Sequence, residues 1–251
     1  MDLGLADRVY VLTGASRGLG LATAQCLIAD GARVVLSARE QSTVDKAVAG
    51  LGPNAAGIAA DLADPATPDA LVEQAMRRFG RLDGALLSVG GPPAGGPMSM
   101  TDDQWRAAFE SVFLGAVRAA RTIAGSLGEG GAIALVLSSS ARSPVPNLAI
   151  SNGLRPGLAM VTKDLADHLG PRGIRVLSLL PGRISTDRSV ELFAAAPDPE
   201  KAKAQAAATI PLRRLGDPAE FGRVAAFALS PAASYLTGIA LPVDGGALRT
   251  L

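Results

Sequence analysis

Short apolar runs alternate with longer helical stretches along almost the whole chain, and this alternation restricts the fold more than any other feature. The runs are "RVYVLTG" (8–14), "ARVVLSAR" (32–39), "AAGIAADL" (55–62), "LDGALLSV" (82–89), "GAIALVLSS" (131–139), "GIRVLSLLPG" (173–182) and "GIALPVDGG" (238–246). Strands that are apolar throughout are buried on both faces, which requires a parallel sheet covered by helices on each side. Helices are expected from the segment closed by Gly31, through 66–79, and over about 102–127 with Thr101 or Asp102 as cap. Residues 187–210, rich in Ala and containing "APDPEKAKA", read as a helical excursion above the strand ends. No linker or internal repeat divides the 251 residues, so the expectation is one doubly wound α/β domain over 1–251 with a seven-stranded, mostly parallel sheet.

Composition narrows the class. Aromatics are 4% of the chain, so the core must be built from Ala, Val, Leu and Ile. Lys plus Arg number 24 against 23 Asp plus Glu, and no basic run stands out, which argues against a nucleic-acid partner. Cys26 is the one cysteine, so no internal disulfide can form; its apolar helical setting predicts burial. No stretch approaches the roughly 18 apolar residues of a membrane span, and "MDLGLADRVY" lacks a basic segment followed by an apolar one. A soluble, cytoplasmic protein with no membrane partner is expected, and no metal site is read.

"TGASRGLG" (13–20) joins the first strand to the first helix. Gly14, Gly18 and Gly20 let the backbone turn tightly and approach a pyrophosphate, which the helix N-terminus favours electrostatically. The spacing G-x-x-x-G-x-G differs from the commoner dinucleotide fingerprint, yet its place after a first strand gives it weight. The second strand ends in Ser37-Ala38-Arg39-Glu40, and Arg17 lies in the glycine loop. Two guanidiniums can fork onto one 2′-phosphate, so NADP(H) is favoured over NAD(H), with Glu40 pulling slightly the other way.

With these segments in view, the chain resembles the short-chain dehydrogenase/reductase family, in particular its 3-oxoacyl carrier-protein reductase-like branch, and does so almost end to end. The resemblance implies a Rossmann-like fold and extends the cofactor site through the whole loop, including Ser16 and Leu19. "DLAD" (61–64) matches the segment that meets the adenine, here Asp61 and Leu62. "PGRISTD" (181–187) matches the stretch after the sixth strand, with Pro181 and Gly182 leading to Ile184 and Thr186 at the nicotinamide carboxamide. The family's N-N-A-G segment appears as Ser88-Val89-Gly90-Gly91, and residues 211–246 follow its C-terminal signature. A homo-oligomer, tetramer or dimer, is implied by resemblance alone. So is a small-molecule carbonyl or alcohol substrate, and the Ala- and Leu-rich excursion at 187–210 suggests an apolar or acyl-bearing one.

The departures fall at the chemistry. Ser138 keeps the catalytic serine position, thirteen residues before 151. Where the family has its tyrosine and lysine, this chain has Ser151 and Arg155. The helix asparagine falls on Val112, which removes a polar anchor for a relay water. Lys163 is no substitute for the lysine, because the position four residues earlier is Ala159. A phenol of pKa about 10, lowered by a neighbouring ammonium, can exchange a proton with a carbonyl oxygen; an aliphatic hydroxyl is a far weaker acid. Arg155 retains positive charge without being a ready proton relay.

Three readings stay open. The first is an NADP(H)-dependent oxidoreductase working through Ser138, Ser151, Arg155 and a water. The second is a cofactor-binding homologue with weak turnover, acting as sensor or partner subunit. The third is a non-redox reaction on the same fold. Pro156, flanked by Gly153 and Gly157, predicts that the helix carrying Ser151 and Arg155 starts late or bends around 151–156. Ser140 and Arg142 are candidates to face substrate, "GGPPAGGPM" (90–98) to border the pocket, Trp105 to pack, and His168 to be solvated at a helix end.

Overall fold

A computed structural model gives the fold and describes residues 1–88, 90–194 and 197–250. Val89, the expected end of the fourth strand, residues 195–196 of the expected excursion, and the C-terminal residue lie outside the described residues. Seven strands form one sheet: β1 (Val9–Leu12), β2 (Arg33–Ala38), β3 (Ala55–Ala59), β4 (Gly84–Leu87), β5 (Ala132–Val136), β6 (Arg175–Pro181) and β7 (Ala240–Val243). Their order is β3-β2-β1-β4-β5-β6-β7, and every pairing is parallel. Each strand is shorter than its apolar run, because the ends of those runs turn away as loops. Along β1 the side chains alternate between two cores. Val9 and Val11 enter one, Tyr10 and Leu12 the other. The strand order reverses between β1 and β4, and the carboxyl edge at such a reversal is the crevice where open α/β sheets bind ligands.

The helices on the two faces are α1 (Gly18–Ala29), α2 (Gln41–Leu51), α3 (Thr67–Phe79), α4 (Asp102–Ala108), α5 (Gly115–Ser126), α6 (Ala149–Leu169), α7 (Asp187–Ala194), α8 (Pro199–Ala208) and α9 (Pro218–Leu229). Local chemistry fixes several ends. Thr101 and Gln104 form a capping box on α4, and Asp217 and Glu220 form one on α9, which also begins with Pro218. Gly80 closes α3 in the left-handed conformation. At the C-terminus of α9 the buried guanidinium of Arg175 donates to the carbonyls of Ala228 at 2.8 Å and Ser230 at 2.9 Å. The negative end of the helix dipole thus takes the place of a carboxylate partner. α9 in turn lies close on α1, because a Cβ at Gly222 would stand 2.6 Å from the Ala22 carbonyl oxygen. The orientation of α1, and of its N-terminus over the crevice, depends on that contact.

Two expectations need correction. The long helix over 102–127 is not uniform: a π-helical segment, Phe109–Leu114, separates α4 from α5. Val112 is buried within it, and the rings of Phe109 and Phe113 stack at 5.2 Å. The widened turn brings Gly115 against the Leu62 carbonyl and Phe113 against α6, and such bulges occur often at functional sites. Second, α6 does not start late. It begins at Ala149 and runs unbroken through Pro156. Tertiary packing overrides the local propensities. Gly153 and Gly157 are the notches into which Trp105 and Phe113 press, at 2.8 and 2.9 Å from where a Cβ would sit. Ile150, Leu154 and Leu158 bury the neighbouring stripe of the helix in the same core. The one backbone bond lost is the one that Pro156 cannot donate to Asn152.

Gly115 and Gly125 both lie in α5, and only the first is pressed on backbone. Gly125→Ala should stabilise by about 0.5–1 kcal/mol through helix propensity. Gly115→Ala should destabilise by about 1–3 kcal/mol, since a methyl there overlaps the Leu62 carbonyl. Urea unfolding of the two variants reads both signs.

Candidate active site

At the crevice the ends of β1 and β4 are tied together. The Thr13 hydroxyl donates to the Ser88 carbonyl at 2.8 Å and accepts the Ser88 N–H at 2.9 Å. Gly14 follows with φ +58°, and a Cβ there would lie 2.8 Å from the same Ser88 carbonyl oxygen. Gly18 has φ +57°, and a Cβ at Gly20 would meet the Ala15 Cα at 2.7 Å. At Gly14 and Gly20 a Cβ would displace backbone, and at Gly18 the left-handed conformation is what favours glycine. α1 then starts at Gly18 with Arg17 as N-cap residue, whose side chain offers no acceptor to the first turn. The cradle and the uncapped helix N-terminus suit a dinucleotide pyrophosphate. Ser16 and Leu19 are half-buried in the same loop.

The expected contacts further out are not equally open. Arg39 is exposed just beyond β2, and Arg17 is exposed on the loop. Ser37 corrects the sequence reading: it is 2% exposed, and its carbonyl accepts the Ala15 N–H at 3.0 Å. It shapes the loop by its backbone and does not offer its hydroxyl to a phosphate. Asp61 is exposed and caps its own turn, with Oδ1 accepting the Ala63 N–H, while Leu62 is buried beside Gly115. On the other side of the crevice, Pro181 ends β6 and the Gly182 N–H bonds Val243. Ile184 is buried in the core, leaving its backbone to meet a ligand. The methyl of Thr186 comes within 3.6 Å of a Cβ placed on Gly18, so the segment after β6 does close on the glycine loop. Gly90 is exposed between them.

The substituted positions gather at the end of β5. Ser138 is half-buried, and its Oγ accepts the Ser140 N–H at 3.1 Å. The Ser140 and Ser151 hydroxyls are 2.9 Å apart, each at most 5% exposed. One turn along α6, Arg155 is 4% exposed and donates from one terminal nitrogen to the Val136 carbonyl at 2.9 Å, while its Nε is buried without a partner. Burial pushes its pKa down to about 10. Thus Ser151 bonds a residue two places after Ser138, and Arg155 bonds one two places before it. Ser138 presents the open hydroxyl of the three named positions.

Ser140 therefore faces Ser151 rather than a substrate. Nothing in the sequence marks that contact, which only the fold brings about. The Asn152 clamp was equally hidden: its amide accepts the Val145 N–H and donates to the Val145 carbonyl, both at 2.9 Å. Gly95 is joined to the same loop, donating to Asn147 and accepting from Ala149, so the Gly/Pro segment and the loop before α6 form one wall. Arg142 is exposed and donates to the Ala240 carbonyl. Trp105 packs on the core as expected. Cys26 is only half-buried, and burial raises its thiol pKa. Lys163 pairs with Asp167 on the surface. His168 is exposed in the last turn of α6, about 20 Å along the helix from Arg155.

Comparison with known proteins sets this geometry in a family. A family model described as enoyl-(acyl carrier protein) reductase matches residues 14–247. The 3-oxoacyl-[acyl-carrier-protein] reductase of Salmonella typhimurium is 30% identical over 97% of this chain and 98% of its own. L-Sorbose reductase from Gluconobacter frateurii, solved with NADPH and L-sorbose, is 31% identical with a TM-score of 0.94 over the whole of both chains. A short-chain oxidoreductase from Pseudomonas aeruginosa, described as containing an atypical catalytic center, is 29% identical with a TM-score of 0.92, again over both whole chains.

The Ser140–Ser151 pair should behave as a coupled unit. Ser140→Ala or Ser151→Ala strands a buried hydroxyl and should each cost about 1–3 kcal/mol. The double variant should cost less than the sum, because neither hydroxyl is then left alone. A denaturation cycle that comes out additive contradicts the pairing.

Proposed function

The chain belongs to the short-chain dehydrogenase/reductase family of oxidoreductases, and on that premise we propose that it moves hydride between NADP(H) and a ketone or secondary alcohol held at Ser138. One observation carries the proposal: the glycine cradle and the half-open Ser138 hydroxyl share the carboxyl edge of the same sheet. Gly14, Gly18 and Gly20 would hold the pyrophosphate, Arg17 and Arg39 a 2′-phosphate, and the segments at Asp61, Ser88, Gly90 and 181–186 the adenine and nicotinamide ends. When bound, the dihydronicotinamide supplies the hydride.

The chain's own residues then act on the carbonyl. Ser138 donates a hydrogen bond to its oxygen. Arg155, charged at neutral pH with a pKa of about 10, stabilises the negative charge that develops there. Ser151 has its hydroxyl engaged by Ser140 and serves to hold the loop after Ser138 in place. No side chain of these four is an acid of the right strength, so the proton comes from water. A positioned general acid contributes about 10²–10⁴-fold, and simple ketones should be reduced slowly for want of one. Carbonyls already activated by a neighbouring carbonyl should fare better.

The same burial of Ser151 and Arg155 favours a second reading, a cofactor-binding homologue with little turnover. Calorimetry with NADPH and NADH, followed by absorbance assays with 2,3-butanedione and 2-butanone, separates the two. Tighter binding of NADPH, weakened in Arg39→Ala, with turnover of the diketone well above that of the simple ketone, is expected. Binding without turnover of either establishes the second reading, and absence of nucleotide binding contradicts both.

A further inference from the structure

Arg155 is the group at this site whose requirements the chain leaves unmet. Arg155 is 4% exposed, and among the described residues the one acceptor its guanidinium reaches is the neutral carbonyl of Val136. Nε is buried without a partner, and the described residues supply no ion pair to it. A cation taken out of water is costly unless a counter-charge or several hydrogen bonds offset it. The other buried arginine among the described residues, Arg175, shows the usual solution, with four backbone carbonyls within 3.3 Å, three of them at the C-terminal end of α9. Arg155 has no such set.

A cofactor's own phosphates do not meet the need. The cradle that suits the pyrophosphate follows β1, and the exposed Arg39 follows β2, whereas Arg155 bonds the end of β5. Strands β1 and β5 are separated by β4, a span of roughly 10 Å. The Val136 carbonyl that Arg155 bonds lies two residues before Ser138, and the contacts of α6 at Val136 and Ser140 bracket that serine. A molecule whose carbonyl accepts from Ser138 would therefore sit at the strand end that Arg155 bonds.

We propose that Arg155 is the carboxylate receptor of the substrate site, and that the substrate is a short oxo acid whose carboxylate stands one or two bonds from the carbonyl that meets Ser138. The planar guanidinium suits that anion in geometry as well as charge, since it can donate through two nitrogens to two oxygens. Binding the anion removes the uncompensated charge, so neutral ketones are disfavoured relative to acids by the same residue. The inference rests on the placing of the substrate carbonyl at Ser138.

The test uses the whole protein saturated with NADP⁺, which cannot reduce an oxo acid and which covers the exposed arginines of the cofactor site. Acetoacetate and its methyl ester are titrated by calorimetry, and the titrations are repeated without nucleotide. The acid should bind at least about tenfold more tightly than the ester. In Arg155→Gln the difference should shrink to within about twofold. Arg155→Lys, which keeps the charge and is the gentler change should the glutamine variant not fold, should retain part of the preference without the two-point geometry. Equal affinities for acid and ester, no binding of either, or an undiminished preference in either folded variant overturns the proposal. A preference for the acid in a protein that oxidises no NADPH with any ketone would uphold the receptor and remove the reductase reading instead.

Discussion

Two hydrogen bonds join α6 to the end of β5, and they fall on either side of Ser138. Ser151 reaches forward to Ser140, and Arg155 reaches back to Val136. Because residues four apart lie on one helix face, a single turn of α6 sets both contacts at once. The position of that turn depends on Gly153 and Gly157, which admit Trp105 and Phe113, and on the Asn152 clamp that fixes the loop before it. The π-helical turn at 109–114 delivers Phe113 to its notch. The architecture of the family's reactive helix is therefore kept while the two residues that project from it are changed.

Much of this could be read from residue order. Continuous apolar runs placed all seven strands, and parallel pairing followed from their burial on both faces. The glycine loop was legible because Gly14, Gly18 and Gly20 stand where a Cβ would strike backbone or be strained by a left-handed turn. The path of α6 was not, since Pro156 and two glycines speak against a helix locally and their compensation lies in aromatic contacts from another element. Ser37 misled for a similar reason. Its place at a strand end suggests an open hydroxyl, but the side chain turns inward and the backbone does the work. The Ser140–Ser151 bond spans eleven residues and a change of element, so no local pattern announces it.

The electrostatics of the site differ in kind from a phenol–ammonium pair. A buried guanidinium provides fixed positive charge, and three serine hydroxyls provide hydrogen bonds, yet none of them ionises near neutrality. On the proposed mechanism, the roles that a phenol and its neighbouring ammonium would share are divided between protein and solvent. The lowered pKa of Arg155 narrows the range of pH over which its charge is secure without bringing it into the physiological range.

The dependence of kcat on pH tests that division most directly. With NADPH and a vicinal diketone, no inflection should appear between about pH 6 and pH 9, because no group at the site titrates there. A loss should set in only as the pH approaches about 10 and Arg155 gives up its proton. His168, the one histidine, lies too far along α6 to act on the carbonyl. An inflection inside that window, abolished by changing Ser138 or Arg155 but not His168, would mean that the site holds a working acid after all and would contradict the account.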